Sequence, residues 1–172
     1  MCNKLRYTHK RGQVEVPMMS LCLFACSDDK EEDNGGNSGK GFYVTYRGVK
    51  VEVGKDSDGV IDALGEPLSI SELGDCGGLG AQIKYTYPSI AVYVLENSAG
   101  YALIDGIEIY DDSVSTPQGV YIGMSADEAK AKLDGAKESG NALTVIDGNY
   151  YLKVKLDGGK VSEIYFGTDS GY

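Results

Sequence analysis

The stretch VYIGMSADEAKAKL, residues 120–133, has a counterpart 69 residues earlier in VEVGKDSDGVIDAL, residues 51–64. The two align without a gap, and Gly54 and Gly123, Asp58 and Asp127, Leu64 and Leu133 coincide. Each opens on a short alternating strand, in which Val51 and Val53, or Val120 and Ile122, face one way. The glycine then turns the chain and a helix begins. In the later copy Ser125-Ala126-Asp127-Glu128 forms a capping box, with Ser125 as N-cap and Glu128 reaching back to it. In the earlier copy Asp56 takes the cap position and Gly59 replaces the glutamate, which predicts a weaker helix. Val60, Ile61 and Leu64 form one apolar stripe, Ala129 and Leu133 the other, and Gly65 and Gly135 follow as left-handed caps.

Downstream of each helix the apolar period changes to two. Strands are expected at 82–87, 90–95 and 102–110, and again at 142–146, 149–156 and 160–166. Asp147-Gly148-Asn149 and Asp157-Gly158-Gly159 are hairpin turns, because glycine and asparagine reach positive φ at little cost. Ile107-Glu108-Ile109 ends one copy as Ile164-Tyr165-Phe166 ends the other. The reading is an α+β fold of tandem strand–helix–antiparallel-strand repeats, residues 42–112 and 113–172, with helices packed on one face of the sheet.

Units of this order and length resemble the β-lactamase-inhibitor-protein-like (BLIP-like) fold, and each unit alone is similar to small outer-membrane assembly lipoproteins of the BamE/SmpA type. Ser115-Thr116-Pro117-Gln118-Gly119-Val120-Tyr121-Ile122-Gly123 is also similar to sequences in uncharacterised lipoproteins of gut bacteria. The resemblance covers nearly all of 42–172 and implies a fold, not a catalytic activity. The inhibitor family has a disulfide in each repeat. Here Cys76 is the only cysteine of the repeats.

The N-terminus reads as an address. Lys4, Arg6, Lys10 and Arg11 precede an apolar run from Val16 to Ala25, which ends in Leu23-Phe24-Ala25-Cys26. This resembles the lipobox of bacterial lipoprotein signal peptides, a resemblance that implies processing of 1–26 and lipid attachment at Cys26. Residues 27–41 begin Ser27-Asp28-Asp29-Lys30-Glu31-Glu32-Asp33 and contain no large apolar side chain before the repeats, which predicts a disordered acidic tether. Cleavage before Cys26 leaves 12 Lys+Arg against 25 Asp+Glu, a formal charge of −13, with Arg47 the sole arginine.

Composition narrows the chemistry. The single histidine, His9, lies in the leader, so the expected mature protein has no His-dependent nucleophile or His-ligated metal site. The acidic balance argues against nucleic acid as a partner. Cys76 has acidic Asp75 beside it and no positive neighbour to activate it. Asp56-Ser57-Asp58-Gly59 begins like a calcium loop, but Val60 and Pro67 occupy ligand positions, so no metal or cofactor is expected.

Tyrosine is the positive signal, with 13 in the chain and no tryptophan. Strand parity turns Tyr93, Tyr110, Tyr121, Tyr151 and Tyr165 away from the helices, alongside Lys153. Large, stiff amphipathic side chains among charges suit recognition. The expectation is a non-catalytic, lipid-anchored binding module of the cell envelope, outside the cytoplasmic membrane or in the periplasm. Its partner would be an extracellular or periplasmic protein or a cell-wall component. The alternatives are an inhibitor of a secreted enzyme, such as a β-lactamase or wall hydrolase, and an envelope-assembly scaffold.

Overall fold

The computed structural model describes residues 41–75, 80–96 and 100–168. The leader, Cys26, the acidic tether and Cys76 lie outside the described residues. The chain begins with a hairpin of β1 (Tyr43–Tyr46) and β2 (Val49–Glu52). Its two-residue turn, Arg47-Gly48, has φ of 54° and 80°, the doubly positive geometry that matches the twist of the flanking strands. Helix α1 (Asp58–Leu64) follows, then β3 (Ser69–Asp75), β4 (Ala81–Thr86), β5 (Ile90–Glu96) and β6 (Ala102–Ile109). After a long connection come α2 (Ala126–Lys132), β7 (Lys137–Ser139), β8 (Ala142–Asp147), β9 (Tyr150–Asp157) and β10 (Lys160–Thr168).

Strands β3 to β10 form one eight-stranded antiparallel sheet in the order β3-β4-β5-β6-β10-β9-β8-β7. Two meanders therefore meet through their last strands. The matching triplets become partners: Ile107 pairs with Phe166, Glu108 with Tyr165 and Ile109 with Ile164.

This corrects the expected fold class. The described chain is mostly β, with about 52% strand and 12% helix, and its two helices have seven residues each. It is not an α+β assembly of tandem strand–helix repeats with helices spread over a sheet face. Two local causes account for the difference. The helices end where the glycine caps were expected, at Gly65 and before Asp134-Gly135, and at seven residues each they are too short to cover a sheet face. The strand expected at Val120–Ile122 is absent, because the chain turns instead: Gly119 N–H donates to the Thr116 carbonyl and Thr116 N–H to that of Val120.

What recurs between the halves is narrower, a junction of backbone hydrogen bonds. Gly54 N–H donates to Ile104 O at 2.7 Å, as Gly123 N–H does to Val161 O at 2.8 Å. Ile104 N–H returns to Lys55 O, and Val161 N–H to Met124 O, both at 2.8 Å. Each glycine has positive φ, 82° at Gly54 and 91° at Gly123, which swings the chain from the sheet into the helix.

The core lies on one face of the sheet. Ile90, Val92, Ile107, Leu152, Ile164 and Phe166 are buried there, under Val44 and Val51 of the hairpin and Leu64, Ala129 and Leu133 from the helical segments. The hairpin thus shares the covering role assigned to the helices. Tyr87 is fully buried, and its hydroxyl has no hydrogen-bond partner among the described residues. Removing an unsatisfied buried hydroxyl relieves a desolvation penalty, so Tyr87→Phe is expected to raise stability by about 1 kcal/mol in urea denaturation.

The capping box of α2 is present as expected. Glu128 N–H donates to Ser125 Oγ at 3.3 Å, and Glu128 Oε2 accepts from Ser125 N–H at 3.4 Å. In α1 the cap is Ser57 and its side chain makes no capping bond. Asp56 Oδ1 instead accepts from Asp58 N–H at 3.1 Å. Ser125→Ala should therefore cost about 1 kcal/mol, measured as a shift of the denaturation midpoint, whereas Ser57→Ala removes no cap bond.

The sheet's edges differ. β7 has three residues, and Glu138 is tied to Lys130 at 2.8 Å. β3 has seven residues, with Ile70 and Leu73 exposed beside Leu68. A bulge between Glu72 and Gly74 interrupts its register.

Candidate functional site

Alternation along the strands sets a second face opposite the core. One row across neighbouring strands runs Lys84–Tyr93–Gly106–Gly167–Tyr151–Ile146. The next runs Ala91–Glu108–Tyr165–Lys153–Thr144–Lys137. Apart from Ala91, which is fully buried, none of these residues belongs to the buried apolar core.

The centre is aromatic. The Tyr93 and Tyr165 rings meet edge to face at 5.8 Å, and Tyr151 and Tyr165 lie 5.9 Å apart at 38°. Two paired glycines make room for them. A Cβ on Gly106 would meet the Tyr165 ring and hydroxyl. One on Gly167 would stand 2.6 Å from Cε1 of Tyr165 and 2.9 Å from Cζ of Tyr151. Tyr165 therefore reclines on bare backbone, the arrangement by which an aromatic ring covers strand glycines.

A polar cluster flanks the rings. Lys84 Nζ lies 3.1 Å from Glu108 Oε2, which also accepts from the Tyr93 hydroxyl at 2.8 Å. The same ammonium stands 5.0 Å from the Tyr93 ring centre and 5.6 Å from that of Tyr110. At the other end of these strands Asp105 accepts from Gln82 Nε2 at 2.7 Å and from Thr168 Oγ1 at 2.5 Å. Lys155 pairs with Glu163 at 2.7 Å.

Burial pushes the Tyr165 hydroxyl well above the ordinary tyrosine range, and neighbouring Tyr151 and Asp105 add to it. Burial likewise raises Tyr93. Both hydroxyls stay neutral at physiological pH. For Lys84 burial opposes the charge, but hydrogen bonds with Tyr110, Tyr93 and Glu108 outweigh it and raise the pKa. Burial also opposes the Glu108 charge, and Tyr93 and Lys84 together hold this carboxyl below its ordinary 4.5.

The sign for stability follows. Below its ordinary range, the unfolded Glu108 binds more protons than the folded one, so its contribution is present above pH 4.5 and lost as pH falls through the lower folded value. Lys84 contributes below pH 10.5, and that contribution is lost as pH rises through its raised folded value. Glu108→Gln is accordingly expected to lower the urea midpoint at pH 7 and to flatten its decline between pH 6 and 3. Parallel declines in variant and parent would show that Glu108 is not the titrating group.

Of the residues expected here, Tyr93, Tyr151 and Tyr165 form the row, Tyr110 lies beside Lys84, and Lys153 is exposed next to Tyr165 in register. Tyr121 is not brought in. It sits, 40% exposed, in the turn that replaces the expected strand. Lys84 was legible by parity but overlooked. Asp105 was not, since it is the extra residue of a bulge where Tyr93 pairs with Gly106 and Val94 with Ile104. Isolated glycines inside apolar strands, Gly106 and Gly167, were a usable sign of close approach.

Concavity lies elsewhere. One cleft of about 560 Å³ opens between Phe42, Val53, Tyr150 and the β8–β9 turn, and none of Tyr93, Tyr151 and Tyr165 lines it. Among the described residues no group of three or more His, Cys, Asp or Glu side chains converges on a common point, and no helix is long and apolar enough to cross a membrane. Comparison with protein-family models, with curated proteins and with solved structures found no match.

Proposed function

We propose that the protein is a lipid-anchored binding module of the cell envelope, acting without catalysis through the tyrosine-bearing face of its sheet. The observation that carries this reading is the row Tyr93–Tyr165–Tyr151, held on two paired glycines and bordered by charged and hydrogen-bonding groups on a face the core does not use. Rigid aromatic side chains lose little entropy on contact, and polar neighbours fix the register of a partner. The leader sequence ending at Cys26 supports placement at a membrane surface, with 27–41 as the tether.

The test is capture from native envelopes. The parent protein is expected to retain a partner that the combined substitution of Tyr93, Tyr110 and Tyr165 by alanine loses, with both forms equally folded. Retention by both would remove the face from the reading. Mass analysis of the N-terminus of membrane-extracted protein is expected to find a diacyl or triacyl cysteine at Cys26. An unmodified leader would remove the anchor.

A further inference from the structure

Charge is sorted between the two sides of the molecule. The tyrosine face holds Lys84, Lys137, Lys153, Lys155 and Lys160 against Asp105, Glu108, Asp157 and Glu163, with Lys160 in register with Asp157. The other described side chains comprise five Lys or Arg and fourteen Asp or Glu. One face of a strongly acidic protein is thus slightly positive. Its surplus sits at one end, because Lys84 and Lys155 are paired while Lys137 and Lys153 have no ion-pair partner among the described residues. Those two lysines flank Thr144 on adjoining strands, and Lys153 pairs in register with Tyr165. With strands about 4.8 Å apart, their backbones are about 10 Å from each other.

We propose that this end of the face binds an acidic polysaccharide, its sugar rings resting on Tyr165 and Tyr151 and its carboxylates meeting Lys153 and Lys137. The inference rests on the face being the binding surface, and it names the chemistry of the partner.

Three features select that chemistry. Three clefts of the molecule, beside Phe42 and Val53, beside α2 and beside the β1 strand, are lined by none of Tyr93, Tyr151 and Tyr165, and a sheet face suits a chain laid across it. Tyr165 lies over Gly106 and Gly167 and stays partly exposed, and aromatic faces accept the C–H edges of a sugar. Lys137 and Lys153, which no acidic side chain pairs among the described residues, are where a carboxylate polymer meets least repulsion on an otherwise acidic protein. Gln82 and Thr144 offer polar contacts beside the rings.

The experiment measures binding of the purified full chain to polygalacturonate and hyaluronate, with dextran as the uncharged polymer, poly-glutamate as the acidic polypeptide and phosphatidylglycerol vesicles as the acidic membrane. Polygalacturonate or hyaluronate is expected to bind and to weaken as salt is raised, and dextran is not expected to bind. The double variant Lys137→Glu/Lys153→Glu should lose at least tenfold in affinity, as should Tyr151→Ala/Tyr165→Ala. Lys55→Glu, in the loop before α1 and off this face, should change it less than twofold. Near-UV circular dichroism and a denaturation midpoint confirm that the lysine variant is folded.

Equal binding of poly-glutamate or of the vesicles would overturn the proposal in favour of those partners. So would indifference to the tyrosine pair, or failure of both polysaccharides. If both fail while the tyrosine variants still lose their envelope partner, the polysaccharide is wrong and the binding face stands. If the tyrosine variants lose nothing in either assay, both fall.

Discussion

Replacing Phe166 by alanine is expected to cost about 3–5 kcal/mol, enough to abolish most of the stability of a domain this size. Phe166 is fully buried on β10, between Ile107 of β6 and Leu152 of β9. It fills the point at which the two meanders join, so the cavity left by truncation cannot close by moving one strand without opening the other contact. Phe166→Leu keeps the site apolar and should cost distinctly less. The measurement is the free energy of urea unfolding for the three proteins. An alanine cost below about 1 kcal/mol would show that the junction is not tightly packed.

The second expected result concerns binding. Gly167→Val places a branched side chain where Tyr165 Cε1 would be 2.6 Å and Tyr151 Cζ 2.9 Å from its first carbon. Both tyrosine rings can swing outward, and valine favours a strand more than glycine does, so the net stability change should stay within about 1 kcal/mol. The ring platform does not survive that movement. Affinity for the envelope partner or for an acidic polysaccharide should fall more than tenfold. Because the chain has no tryptophan, its near-UV signal reports largely on tyrosines, and a change there would accompany the loss. Undiminished binding with a changed tyrosine signal would show that the platform is not the contact surface.

The parts of the fold that were legible share one property, a period-two pattern with one side buried. β4 to β6 and β8 to β10 fall within about two residues of their expected limits. β3 was missed because SISELGD lies exposed at an edge, where burial imposes no alternation. β7, only Lys137–Ser139, is too short to carry a pattern. The β1–β2 hairpin was missed because Arg47 takes a positive φ that its residue type does not advertise. The repeated order of strand, helix and strands fixes where each short helix sits in the chain, not that it covers a sheet face, and here the β1–β2 hairpin takes part of that cover. Ser125 and Glu128 specify where a helix starts, not how much of a sheet it covers.

The candidate site shows the same division. Parity located Tyr93, Tyr151, Tyr165 and Lys153, because each sits in a strand whose opposite side is core. It failed at Tyr121, where the strand itself is absent. It could not reach the bond from Gln82 to Asp105, which joins residues 23 apart and depends on a bulge.

The order of strands also bears on how the chain is made. β6 pairs on one side with β5, its near neighbour in sequence, and on the other with β10, which follows every other strand along the chain. During synthesis the first meander must wait with a bare flank until nearly sixty further residues have emerged. That interval invites premature pairing with other nascent chains. A factor that shields extended segments as the chain emerges would have most to do there.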